Sequence, residues 1–181
     1  MPPEITLARK LGLAPHISPL QRKAAKLGLK DPEDWIALAV LRGCRHYNNH
    51  RHIQPVTEIQ LSNEELSALL LSAANPYTPL LIRVGAQLLS DPKIKLETLV
   101  RLCQTENALL PLAWIANSGA ETEPENSFWG ELIQSIDRRT KTPPIFPTAV
   151  FPHPSRFRVE TGFQRHGERK TIQKIWLRPT H

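Results

Sequence analysis

The feature that most constrains the fold of this chain is a run of apolar residues at helical spacing between Leu61 and Gly119. Hydrophobic residues recur there every three or four positions, which predicts four amphipathic helices in two consecutive pairs. A shift of thirty residues superimposes Leu69 on Leu99 and aligns several further apolar positions. We therefore expect two antiparallel helical hairpins related by a weak repeat, with Gly119 at the end of the fourth helix.

Signals for helix ends divide this run. Ser62 and Glu65 have the spacing of a capping box, in which each residue satisfies a backbone N–H of the other. Thr78-Pro79 and Asp91-Pro92 place proline at the start of the second and third helices, where its missing N–H costs nothing. Asn107 is predicted to cap the fourth helix. Because these signals agree with the apolar period, we expect this part of the chain to carry the core.

The whole chain is predicted to be mainly α, a compact bundle of short helices followed by a strap and a β-hairpin. Five prolines between 143 and 154 favour an extended strap, and the residues after it change to an alternating pattern typical of strands. The predicted divisions are a helical body (1–142), with a basic helical N-terminal part (1–52), a paired-helix core (61–119) and a lid helix (126–138), then a proline-rich strap (143–155) and a C-terminal β-hairpin (156–178).

Charge is distributed unevenly along the sequence. The formal net charge is +6, but residues 1–55 carry +5, residues 56–142 carry −4 and residues 143–181 carry +5. Two basic ends around an acidic middle would form one surface for a polyanion if the fold brings the ends together. A solvated surface without such a partner is the alternative.

Residues 42–52 form the most unusual stretch, because arginines and histidines dominate it. A metal site there is disfavoured, since the arginines repel cations and no carboxylate lies nearby, so we predict no metal and no cofactor. The interpretation that remains for this stretch is a polar helix end that attracts anions. An acid/base site using His46, His50 and His52 is a further hypothesis. The residues predicted to contact phosphates here are Arg42, Arg45, His46, His50, Arg51 and His52.

The tail places basic residues among aromatic ones, a composition that can hold a phosphate backbone and stack bases. An arginine-coated hairpin whose aromatic residues pack inward is the alternative. The predicted phosphate contacts are Arg156, Arg158, Arg165, Arg169, Lys170 and Lys174, with Arg178 beyond them; the interleaved aromatic residues are Phe157, Phe163 and Trp176.

The last predicted helix has a broad apolar stripe that includes Phe128 and Trp129. Its simplest role is a lid over the paired helices, and its alternative is an exposed patch that binds a protein partner. Cys44 and Cys103 form no CxxC pair or disulfide framework, and Cys103 has the spacing of a core residue. The first residues lack the pattern of a signal peptide, which makes the cytoplasm the expected compartment.

Three functional hypotheses follow. The leading one is a non-enzymatic nucleic-acid-binding adaptor that contacts phosphates through the basic loop and the hairpin. The second is a protein-interaction and assembly module that uses Phe128, Trp129 and the helical surface. The third is a small metal-independent phosphodiesterase or ribonuclease built on the histidine cluster. The sequence contains no Walker loop, GxGxxG, GxSxG or HExxH motif.

Overall fold

The computed structural model describes residues 17–47, 60–75, 78–140, 158–161 and 173–180, with residues 158–161 and 173–175 described by their backbone. These parts are mainly helical and pack compactly. The elements are α1 (Pro19–Lys26), α2 (Pro32–Leu41), a 3-10 turn (Arg45–Tyr47), α3 (Asn63–Leu71), α4 (Pro79–Leu89), α5 (Leu96–Thr105), α6 (Leu109–Thr122), α7 (Ser127–Asp137), β1 (Arg158–Thr161) and β2 (Gln173–Trp176).

The predicted start signals of the first two core helices are confirmed. Ser62 Oγ accepts a hydrogen bond from Glu65 N at 3.1 Å, and Glu65 Oε2 accepts one from Ser62 N at 2.9 Å. Thr78 caps α4 through a hydrogen bond from Leu81 N to its hydroxyl. Each cap satisfies backbone donors that the first helical turn leaves without a partner.

The prediction that Asp91-Pro92 starts a helix is wrong, because the Asp91 carboxylate has other partners. It accepts hydrogen bonds from Lys93 N at 2.9 Å and from Asn63 Nδ2 at 2.7 Å, so Asp91 closes a turn. Helix α5 begins only at Leu96. Its start is joined to α3 instead, since Glu64 accepts a hydrogen bond from Lys95 N at 2.8 Å.

The predicted limits of the fourth helix are also wrong. Asn107 has a φ of 53° and ends α5 as a left-handed residue, and the hydrogen bond from Ala108 N to Cys103 O closes that helix end. Gly119 lies inside α6, which continues to Thr122. Its place is explained by packing, because an added Cβ would lie 2.6 Å from Cε3 of the Trp129 ring.

The described helices share one hydrophobic core. Helix α3 packs against α4 and α5, and α7 packs against α5 and α6. The sequence paired α6 with α5, whereas in the structure α6 makes a larger contact with α7 than with α5. Cys103 is fully buried in this core as expected, and burial raises the pKa of its thiol.

The tail contributes two short strands. They pair antiparallel, with Arg158 opposite Trp176 and Thr161 opposite Gln173. Residues 162–172, which would form the turn of the predicted hairpin, lie outside the described residues, as do the strap (143–155) and residues 1–16. The hairpin over 156–178 and the strap therefore stay predictions.

Candidate functional site

The side chain of Trp176 packs into the helical body and anchors the C-terminal segment 176–180 there. This side chain is 2% exposed, and its ring centroid lies 4.8 Å from that of Trp129. The indole Nε1 donates a hydrogen bond to Ala86 O at 3.2 Å. Trp176 therefore packs inward, as the alternative interpretation of the tail expected, and it is part of the core.

The backbone after Trp176 continues along the end of α4 toward the turn after α2. Leu177 O accepts a hydrogen bond from Ser90 Oγ at 2.9 Å, and Arg178 O accepts one from Gln87 Nε2 at 3.1 Å. Thr180 N then donates to Gly43 O at 2.9 Å. These contacts place the described end of the chain beside residues 42–47. We call residues 42–47 together with 177–180 the junction.

Arg42 has a structural role at the junction. Its Nη2 donates to Leu61 O and its Nη1 donates to Asn63 Oδ1 at 2.8 Å, so the guanidinium holds the start of α3. Burial lowers the pKa of Arg42, although the nearby Glu65 carboxylate acts in the opposite direction. Because this group is half-buried and engaged with backbone and amide oxygens, it is less suited to phosphate contact than the sequence suggested.

Arg45 and His46 are exposed at the junction, as surface contacts require. The His46 ring packs edge-on against Tyr47, with ring centroids 5.0 Å apart. The 3-10 turn follows Gly43, whose φ of 102° changes the direction of the chain after α2. These two side chains are therefore presented to solvent next to the C-terminal segment.

Sequence reasoning missed Arg83, a half-buried residue on α4 near Tyr47. Burial raises the pKa of Tyr47 to about 12, while the positive charge of Arg83 acts to lower it. The Nε of Arg83 is buried and has no hydrogen-bond partner among the described residues. A signal for it existed, because Arg83 is the one charged residue in the apolar sequence of α4.

A second charged group, Glu123, joins α6, α7 and the C-terminal segment. Its Oε2 accepts hydrogen bonds from Arg178 Nη2 at 2.8 Å, Trp129 Nε1 at 3.0 Å and Asn126 Nδ2 at 3.0 Å. Burial alone would raise the pKa of Glu123, but these hydrogen bonds and the Arg178 charge hold it below its ordinary value. The carboxylate thus fixes the position of Arg178.

Next to this group lies a cleft of about 380 Å³ between the end of α4 and the start of α7. The half-buried ring of Phe128 and the Arg178 side chain, which is 48% exposed, both line the cleft. The remaining lining residues are Leu89, Ser90, Asp91, Pro92, Asn126 and Trp129. The cleft is mainly apolar with a polar edge, a composition typical of small-ligand sites.

The exposed partner patch predicted at Phe128 and Trp129 is wrong for Trp129. That side chain is fully buried between Trp176, Phe128 and Gly119, because its large ring fills the space that glycine leaves on α6. Phe128 keeps part of its ring accessible. The residues around Phe128 line the cleft described above and do not form a flat apolar surface.

The other predicted contacts are not tested. The residues outside the described ranges are His50, Arg51, His52, Arg156, Arg165, Arg169 and Lys170, and the side chains of Arg158 and Lys174 are not described. The described residues include no group of three or more His, Cys, Asp or Glu side chains that could hold a metal ion. The histidine cluster as a site therefore stays a hypothesis.

The described fold and the junction define a mainly helical protein with basic residues beside its fastened C-terminal segment. Of the helices the structure describes, none has the length and apolar character needed to cross a membrane. Comparison with protein-family models, curated proteins and solved structures finds no match to this chain.

Proposed function

We propose that this chain is a non-enzymatic nucleic-acid-binding adaptor that contacts the phosphate backbone at the junction. The observation that carries the proposal is the hydrogen bond from Thr180 N to Gly43 O, which brings parts of the two basic ends of the sequence together. Each end carries a formal charge of +5. Cations from both ends can then act on one polyanion, which neither end could do as well alone.

The described basic side chains at and near the junction suit phosphate contact in different degrees. Arg45 and His46 are exposed, so they can meet a phosphate without prior rearrangement. Arg83 is half-buried and its Nε is buried, so it adds positive charge beside Tyr47 but is less able to contact a phosphate directly. Arg42 contributes indirectly, because it holds the turn in place through Leu61 and Asn63.

Phosphate contacts depend on released counterions, and this gives a direct test. We expect labelled single-stranded RNA, single-stranded DNA and duplex DNA to bind with an affinity that falls as salt rises from about 50 to 200 mM. Arg45→Ala should weaken binding to all three and reduce the slope of log K against log salt by about 1. Arg101→Ala is the matched control, because Arg101 is an exposed arginine on α5 in the acidic middle of the sequence.

Three results would contradict the proposal. One is an absence of binding at low salt, and the second is binding that salt does not weaken. The third is an equal effect of Arg45→Ala and Arg101→Ala, which would mean that nucleic acid binds to the general positive charge and not to the junction. The protein-interaction alternative keeps Phe128 and the helical surface but not Trp129, which is buried.

A further inference from the structure

The cleft between α4 and α7 has the size and lining of a site for a small planar group. Its volume of about 380 Å³ lies within the range of about 300–1,000 Å³ that is usual for ligand pockets. Phe128 is held edge-on to Trp129 with ring centroids 4.9 Å apart, so its orientation is fixed by packing. A fixed and partly accessible aromatic ring is a surface on which a flat ligand can stack.

Charge decides which flat ligand the cleft favours. The guanidinium of Arg178 is paired with Glu123 at 2.8 Å, so its charge is largely balanced within the protein. Asp91 is 2% exposed, and both of its carboxylate oxygens already accept hydrogen bonds. The cleft therefore has no excess positive charge for a phosphate, and a neutral planar heterocycle is better matched to it.

The polar edge of the cleft can meet the edge of such a heterocycle. The Asn126 amide donates one of its two hydrogens to Glu123 and accepts from Phe128 N, which leaves it one further donor. Ser90 Oγ donates within the protein and keeps its capacity to accept. One donor and one acceptor at the edge of an aromatic cleft suit a nucleobase without selecting strongly among the four.

The cleft also lies within reach of the junction. Arg178 borders the cleft, and Thr180, two residues later, is bonded to Gly43. Two residues of extended chain span at most about 7 Å. Because Arg178 belongs to the junction and also lines the cleft, a nucleic-acid strand that contacts the junction can place one of its bases in the cleft.

We propose that this cleft binds one unpaired nucleobase of a single strand, stacked on Phe128 and bordered by Arg178. The inference rests on the proposed function, because the phosphates of the same strand are held at the junction. A base paired within a duplex cannot enter the cleft. The chain should accordingly prefer single strands, and that preference should depend on the aromatic ring at position 128.

The test compares a short single-stranded RNA with a duplex of the same sequence on the full chain. Phe128→Leu should weaken single-strand binding about five-fold or more, the range seen when one stacking side chain is removed, and leave duplex binding unchanged. Phe128→Tyr is the matched control, because it keeps the ring and should bind like the unchanged chain. Thermal unfolding of both variants verifies that each is folded.

A second variant blocks the cleft without changing its stacking ring. Pro92 is exposed at the edge, so Pro92→Trp should be tolerated and its large side chain should exclude a base. Loss of the single-strand preference in Pro92→Trp and Phe128→Leu supports the inference. Salt-dependent binding that both variants leave unchanged overturns the inference alone. No binding to either nucleic acid by the unchanged chain overturns the proposed function and the inference with it.

Discussion

Thr180 and Gly43 are 137 residues apart in sequence and are joined by a backbone hydrogen bond of 2.9 Å from the Thr180 amide to the Gly43 carbonyl. Gly43 has a φ of 102°, and a Cβ built on it would lie 2.6 Å from Thr180 O and 2.7 Å from Thr180 N. The approach of the C-terminal segment therefore requires a residue without a side chain at position 43.

Replacing Gly43 by alanine should separate this segment from the turn after α2. We expect Gly43→Ala to lower the free energy of unfolding by about 1–3 kcal/mol, because the new Cβ strains the backbone and also collides with Thr180. Denaturation in urea measures the change. The variant should also weaken nucleic-acid binding at low salt, since the junction opens.

Gly28→Ala is the control for backbone strain alone. Gly28 has a φ of 87°, but a Cβ there would meet no described atom within 4 Å. It should destabilise the chain less than Gly43→Ala and leave binding unchanged. Equal effects of the two substitutions would mean that the contact with Thr180 contributes little.

The contact between Gly119 and Trp129 gives a second prediction. Alanine is a better helix former than glycine by about 1 kcal/mol, yet Gly119→Ala should lower the free energy of unfolding by about 1–3 kcal/mol because its Cβ would overlap the indole ring. Gly130→Ala is the matched control on α7, where a Cβ would have no described neighbour within 4 Å. Gly130→Ala should stabilise the chain. If the urea midpoints of Gly119→Ala and Gly130→Ala shifted in the same direction, this interpretation would be contradicted.

Trp176 should be as important to stability as a residue of the helical core. Trp176→Ala should lower the free energy of unfolding by about 3–5 kcal/mol, because it leaves a cavity beside Trp129 and Ala86. Trp176→Phe keeps much of the ring and loses the hydrogen bond to Ala86 O, so a smaller loss is expected. Circular dichroism during thermal unfolding measures both, and an alanine variant as stable as the unchanged chain would show that the tail does not contribute to the core.

The lowered pKa of Glu123 predicts that the free energy of unfolding decreases in acid. Its pKa is below the ordinary value of 4.5 in the folded chain, so its ionised form stabilises the fold above that pH. This contribution should disappear as the pH falls below 4.5 and through the folded-state pKa. Glu123→Gln should therefore be less stable than the unchanged chain at neutral pH and should lose less on acidification.

The measurement is the unfolding free energy at a series of pH values between neutral and acid. Glu131→Gln is the control, because Glu131 is an exposed glutamate on α7. The comparison separates the loss of a negative charge on α7 from the loss of the Glu123 contacts. A Glu123→Gln profile that follows that of the unchanged chain would mean that the hydrogen bonds from Arg178, Trp129 and Asn126 do not favour the ionised carboxylate.

Local chemistry was predictable from sequence where it involves near neighbours. The capping box of Ser62 and Glu65 was found because both partners lie within one helical turn. Asp91-Pro92 has the same form as Thr78-Pro79, which does begin a helix, but one oxygen of the Asp91 carboxylate accepts a hydrogen bond from Asn63, a residue 28 positions away. A partner so far away in the sequence cannot be recognised from the neighbouring residues, and so the sequence predicted the start of α5 too early.

The candidate site was less predictable for the same reason. The apolar stripe of α7 identified Trp129 as important but could not show that Gly119 on another helix makes room for its ring. Gly119 resembled a helix end because glycine is common there, whereas close packing was the reason for it. Arg83 was missed because its relation to Tyr47 exists only after α4 and the 3-10 turn have met.

The insertion of Trp176 has a consequence for the order of events during synthesis. Helices α3 to α7 are complete long before Trp176 is translated, so the nascent chain must wait with the surfaces of Trp129 and Ala86 uncovered. A ribosome that pauses in this interval would present an unfinished apolar groove to chaperones or to other nascent chains.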